Sequence, residues 1–197
     1  MSYPQQLFAA YGFVAAKPHA MSAISAVFLH AGIIFVLPNM IFLTVLGKQL
    51  EDAFGRVRFV GVFLLSGVAG TALFYLLDRA STIPCTGSAG AVAGVVGAFW
   101  IVFPDSIFDV EVHLGWWHVT TFAAKTFAVS GAWLGWQLIV LLIHDPLPAI
   151  YILWSNIGGF VAGIALALLL KPTLEMPQWN ESTASGPEQE SVTTLRS

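Results

Sequence analysis

The chain has 197 residues, 57% hydrophobic and 10% charged, with a formal net charge of −3 and a mean hydropathy of +0.78. That balance excludes an ordinary soluble domain and points to a multi-spanning membrane protein. Eight Lys and Arg against eleven Asp and Glu leave no basic surface for nucleic acid, and one cysteine, Cys85, excludes an intramolecular disulfide and supplies no metal-ligand spacing.

Residues 1–26 hold Pro4, Lys17 and Pro18 without a long apolar run, so an external or interfacial segment is expected there, neither a span nor a cleavable signal. A crossing helix needs about 20 apolar residues for roughly 30 Å of hydrocarbon. Five segments meet that pattern, near 27–47, 58–77, 89–104, 122–143 and 150–170. The expected fold is therefore all-α, a polytopic membrane bundle of about five transmembrane helices over 27–171. Pro38 lies inside the first span, where it removes a backbone hydrogen bond and should kink or open the helix; Asn39 beside it is expected to satisfy a freed carbonyl. Pro84, Thr86 and Gly87 mark a loop turning into the third span. Gly90, Gly94 and Gly97 then line one face of that span, and Gly159 and Gly163 line one face of the last. Rows of small residues let membrane helices approach closely, so both rows are read as helix packing.

Between the third and fourth spans, residues 105–118 mix acids, aromatics and two histidines, with Trp116 and Trp117 suited to the headgroup region. An interfacial loop is expected. His113 and His118 are five apart and lack a carboxylate set, so no metal site is read there. Residues 172–197, rich in Ser, Thr, Glu and Pro, read as a disordered cytoplasmic tail. Lys48, Arg56, Arg58, Lys125, Lys171 and Arg196 fall on one side of the spans, against Lys17 and Arg79 on the other. The positive-inside rule makes the first group cytoplasmic, with the N-terminus outside and the C-terminus inside. A bacterial inner membrane is the expected location.

The run Cys85-Thr86-Gly87-Ser88-Ala89-Gly90 resembles the active-site helix start of the rhomboid intramembrane proteases, in which a Gly-x-Ser-Gly serine is the nucleophile. Phe28-Leu29-His30-Ala31-Gly32, Asn39-Met40 and the stretch from Gly47 to Phe59 resemble the family's second helix and its cytoplasmic turn. Ala98 to Pro104 resembles the end of its fourth helix, and Ser155 to Gly163 its sixth. Tyr11-Gly12-Phe13-Val14 is similar to the external loop after the family's first helix, so that helix is expected to be absent here, leaving a vacant position as a docking surface.

The resemblance implies a serine nucleophile where this chain has Ala89, a histidine base where it has Asn156, and an oxyanion-holding histidine where it has Phe35. Alanine has no nucleophilic atom, and an asparagine amide does not titrate near neutral pH. Asn39, Gly87 and Ser88 are left as the residual oxyanion and groove residues. Ser88 is one residue off, which on a helix turns its side chain about 100° away. His30 is read as a structural hydrogen-bonding group.

The expectation is a catalytically dead rhomboid-like protein that binds transmembrane helices of other membrane proteins, as a subunit or assembly factor of a hetero-oligomeric complex in the lipid bilayer. A residual or rewired intramembrane serine endopeptidase is the alternative. No cofactor is expected. A pigment or haem on His30 or His144 with Trp133, Trp136 and Trp154 is a weaker reading, because one membrane histidine specifies no cofactor.

Overall fold

The computed structural model describes residues 3–105, 107–114, 117–143 and 146–170. Two short helices open the chain, α1 (Tyr3–Tyr11) and α2 (Ala20–Ser25), followed by a 3-10 turn at Ala26–Phe28. The bundle is α3 (Ile33–Phe54), α4 (Arg56–Leu77), α5 (Ala89–Val102), α6 (Thr126–Ile143) and α7 (Pro146–Leu170). Among the described residues, three stretches are long and apolar enough to cross a membrane, Ile33–Phe54, Arg56–Leu77 and Tyr151–Leu170, with shorter apolar helices at Ala89–Val102 and Thr126–Val140. The protein is an integral membrane helix bundle.

Four expectations need correction. The first span begins at Ile33, not 27, because residues 26–28 form the 3-10 turn and Leu29 is extended. It runs on to Phe54, where Gly55 at φ +78° makes the turn into α4. The fourth span begins at Thr126, not 122. The expected loop after α5 is an antiparallel hairpin, β1 (Ile107–Leu114) with β2 (Trp117–Lys125), which pairs His113 with His118 across the strands. Its signal was in the sequence: Phe108, Val110, Val112 and Leu114 alternate with Asp109, Glu111 and His113, the period of a strand. The fourth concerns Asn39. α3 includes Pro38 within one helical element, and the Asn39 amide donates to Ser88 Oγ at 3.3 Å rather than turning to a freed carbonyl.

α5 is the axis of the bundle. A helix apolar on every side must be covered on every side, and eleven of its fourteen residues are buried. Gly90 and Gly94 lie against Gly159 and Gly163 in the same order along both chains, so α5 and α7 run parallel. Gly70 meets Ser155 and Phe74 meets Tyr151, so α4 runs antiparallel to α7. The α5 face toward α3 carries Val92, Val95, Val96 and Phe99, which form one core with Leu46, Leu50 and Phe54.

Fourteen residues rise only about 21 Å, short of the roughly 30 Å of hydrocarbon. The two ends of α5 therefore cannot both reach a membrane surface, and irregular backbone at membrane depth must be covered by protein. It is covered. Phe13 and Cys85 exchange backbone hydrogen bonds at 3.1 and 2.8 Å, Ala16 N–H donates to Ser81 O at 2.9 Å, and Gly87 N–H donates to Ala26 O at 2.8 Å. The segment after α1 thus straps the loop that precedes α5. Phe13 packs edge-on to Phe74 and Tyr75, which anchors the strap.

Of the five bundle helices, α6 is the least engaged with its neighbours. Phe127, Leu134, Leu138, Ile139, Leu142 and Ile143 on it are exposed.

Candidate functional site

The site forms where the strapped loop delivers the start of α5 beside α3. Gly87, at φ +116°, takes a conformation that suits glycine and turns the chain into the helix. Ser88 follows at the N-cap position without capping the helix by its side chain. Its hydroxyl instead lies 3.0 Å from His30 Nε2 and accepts from Asn39 Nδ2 at 3.3 Å. The Ser88 backbone N–H also donates to His30 Nε2, at 3.3 Å. Accepting from that N–H makes Nε2 the unprotonated nitrogen, so the ring is neutral and Ser88 Oγ–H donates to it.

Burial holds the His30 pKa below its ordinary 6.5, partly offset by a hydrogen bond with the Phe28 backbone. The folded protein therefore takes up this proton later than the unfolded chain as pH falls. Stability contributed by neutral His30 is complete above 6.5 and is lost as pH falls from there through the folded pKa. The thermal midpoint should drop on acidification below pH 6.5, and His30→Gln should flatten that part of the profile.

Ser88 is 2% exposed. Removing its hydroxyl would leave Asn39, itself buried, without the acceptor of its amide. Ser88→Ala should cost about 1–2 kcal/mol by the usual price of an orphaned buried donor, read as a lower thermal midpoint in detergent.

Beside this trio is a pocket of about 150 Å³ lined by His30, Phe35, Asn39, Gly87, Ala89, Gln137 and Tyr151 among others. The structure thus brings together Phe35, Asn39, Gly87 and Ala89, four of the positions singled out in the sequence. Ser88 is not part of the wall. Asn156 is not part of it either: it lines a neighbouring apolar cavity of about 390 Å³ between α6 and α7. The two spaces share Gln137, Val140 and Ile152. Gly90, Gly94, Gly97, Gly159 and Gly163 do the packing expected of them.

Cys85 lines the pocket, but burial pushes its thiol up to about 12, so it carries no thiolate near neutral pH. Ser155 Oγ is wedged against Gly70 and Gly90, in a helix interface rather than a pocket. The His30–Ser88 link and the position of Gln137 in the walls of both cavities lie beyond the sequence reading. The first joins residues 58 apart and leaves no local pattern. The second had one: Trp133, Gln137 and Val140 recur at helical spacing along α6. His144, named in the pigment reading, lies outside the described residues, as does the tail 172–197. No group of three or more potential metal ligands occurs among the described residues.

The family described as Rhomboid domain matches residues 17–173. RHOMBOID-like protein 5 of Arabidopsis thaliana is 35% identical over 155 residues, 76% of this chain and 44% of that protein. RHOMBOID-like protein 7 of the same plant is 29% identical over 182 residues, 89% of this chain and 50% of that one. Rhomboid-like protease 3 of Toxoplasma gondii is 23% identical over 174 residues, 88% of this chain and 60% of that one. The chain spans about a third to a half of the length of the first Arabidopsis relatives it matches. No solved structure matches it significantly.

Proposed function

The chain belongs to the rhomboid family, and from that premise we propose that it is a non-catalytic member which holds transmembrane helices of other membrane proteins, as a subunit or assembly factor of a hetero-oligomeric complex. The observation that carries this reading is the wall of the pocket at the start of α5. Ala89 and Phe35 stand in it where the family resemblance calls for a nucleophile and an oxyanion-holding histidine, and Ser88 is sealed behind it. Asn156, at the position of the base, cannot accept a proton near neutral pH and faces a different cavity. Binding is supported by the loosely engaged α6, on which Gly131 and Gly135 stand four residues apart with open space beside them, because helices in a bilayer associate through close packing of small-residue faces rather than a hydrophobic drive. In the proposed orientation Lys48, Arg56 and Arg58 are cytoplasmic and the loop before α5 faces the outside of a bacterial inner membrane.

Photo-crosslinking in proteoliposomes tests it. With p-benzoylphenylalanine at Leu138 on α6, a model transmembrane peptide should be recovered as a full-length adduct. Peptide fragments instead of the adduct would contradict the proposal.

One observation favours a second reading, the residual or rewired serine endopeptidase. The Ser88 hydroxyl and His30 Nε2 make a nucleophile–base contact at 3.0 Å. That reading requires the strapped loop to open so that a carbonyl can reach Ser88. Cleavage lost in Ser88→Ala and kept in Ala89→Gly would establish it.

A further inference from the structure

We propose that the β1–β2 hairpin carries a binding site for a divalent transition-metal ion of the zinc class, held by the imidazoles of His113 and His118. The two histidines are five apart in sequence, a spacing that puts no pair on one face of a helix. The segment is not a helix, and strand register decides which residues meet. From Ile107 with Lys125 to Val112 with Thr120 the pairing advances one residue at a time on each strand, and continued unchanged it would set His113 against Val119. A register shift between Val112 and His113 sets it against His118 instead. One extra residue in one strand is a bulge, a device that is over-represented beside functional sites. Here it replaces a histidine–valine pair with a histidine–histidine pair.

Residues directly opposed on antiparallel strands share a face, with Cβ atoms about 4.5–5.5 Å apart. Two nitrogens on a tetrahedral zinc ion, each at about 2.0–2.1 Å, stand roughly 3.3 Å from one another. One imidazole from each of two opposed positions can therefore reach a single ion without a change in the backbone. Positions along a strand alternate between its faces, so Asp109 and Glu111 share the face of His113 and add negative charge there. That charge favours a cation over a phosphate or a carboxylate. Imidazole suits zinc, copper and nickel, whereas magnesium and calcium select oxygen ligands. The histidines supply a pair of protein ligands, and water completes the coordination.

The hairpin follows the C-terminal end of α5, whereas the pocket with Ala89, Phe35 and Asn39 lies at the start of that helix. The inference is thus independent of whether the chain is proteolytic. Its structural consequence falls on α6. β2 ends at Lys125 and α6 begins at Thr126, with no residue between them. An ion that fixes the register of the two strands therefore also holds the entry to the least engaged helix of the bundle.

The test is competition for Zn²⁺ between a chromophoric chelator and the untagged full-length protein in detergent, with Mg²⁺ in excess. The protein should take one Zn²⁺ per chain. His113→Gln and His118→Gln should each weaken it at least ten-fold, while His118→Cys, which supplies a thiolate ligand, should keep it. Zn²⁺ should also slow hydrogen exchange across residues 107–125 in the parent and in neither glutamine variant. The absence of one-to-one binding, or affinity unchanged in both glutamine variants, would overturn the proposal. So would an equal loss in His19→Gln or His144→Gln, which would place the ion elsewhere. Loss in His118→Cys as severe as in His118→Gln would likewise overturn it, because the glutamine effect would then be one on folding rather than on ligation.

Discussion

Gly163→Val is expected to destabilise the transmembrane bundle by about 3 kcal/mol or more, the upper end of what overpacking costs. A Cβ at Gly163 would fall on the Gly94 backbone, carbonyl oxygen, carbonyl carbon and Cα alike, and one at Gly159 on the Gly90 backbone in the same way. Neither obstacle is a flexible side chain. The two helices must separate along their shared length, and with them the position of Asn156 relative to the start of α5. Gly131 on α6 provides the contrast, because an added Cβ there meets nothing within 4 Å. Gly131→Ala should gain about 0.5–1 kcal/mol through helix propensity alone. Thermal unfolding of both variants in one detergent measures the difference. Equal midpoints would show that the α5–α7 contact is not the axis of the fold.

Phe74→Ala is expected to cost about 3–5 kcal/mol, the range for emptying a fully buried aromatic site, and to do so away from the helix axis. Phe74 is 0% exposed, stands edge-on to Phe13 at 6.4 Å and is tilted against Tyr151 at 4.8 Å. Tyr151 in turn donates from its hydroxyl to Asp78 Oδ2 at 3.1 Å. Phe13 is the residue whose backbone pairs with Cys85, so the ring stack fastens the strap that holds the loop before α5. Loss of Phe74 should therefore loosen that loop as well as the fold. Limited proteolysis between residues 12 and 18 should accelerate in Phe74→Ala and much less in Phe74→Leu. Unchanged proteolysis in an alanine variant of lowered stability would mean that the strap holds without the stack.

The sequence made the helix contacts legible and the polar site only in part. Gly90, Gly94, Gly159 and Gly163 announce close packing because nothing but a missing side chain permits it, and the structure pairs those residues. Ala89, Phe35 and Asn39 were placed by their neighbours in a family pattern and do share a pocket. The Ser88–His30 contact was out of reach, because the position of Ser88 depends on how the strap sets the loop, not on helical periodicity. Reasoning from an ideal helix turned Ser88 away from the site; in fact it precedes α5, and its side chain reaches α3. The placement of Asn156 in the α6–α7 cavity was equally hidden, since it follows from how loosely α6 sits. The pairing of β1 with β2 was legible in the alternation of Phe108, Val110, Val112 and Leu114 with Asp109, Glu111 and His113.

Whether any serine of this chain can be activated separates a scaffold from a protease. A serine-directed fluorophosphonate applied to the full-length protein in proteoliposomes, followed by intact-mass measurement, reads that directly. The unmodified mass should persist at reagent concentrations that label a rhomboid protease completely. A stoichiometric adduct on the unaltered chain that disappears in Ser88→Ala would contradict the non-catalytic assignment and make the Ser88–His30 pair an active dyad.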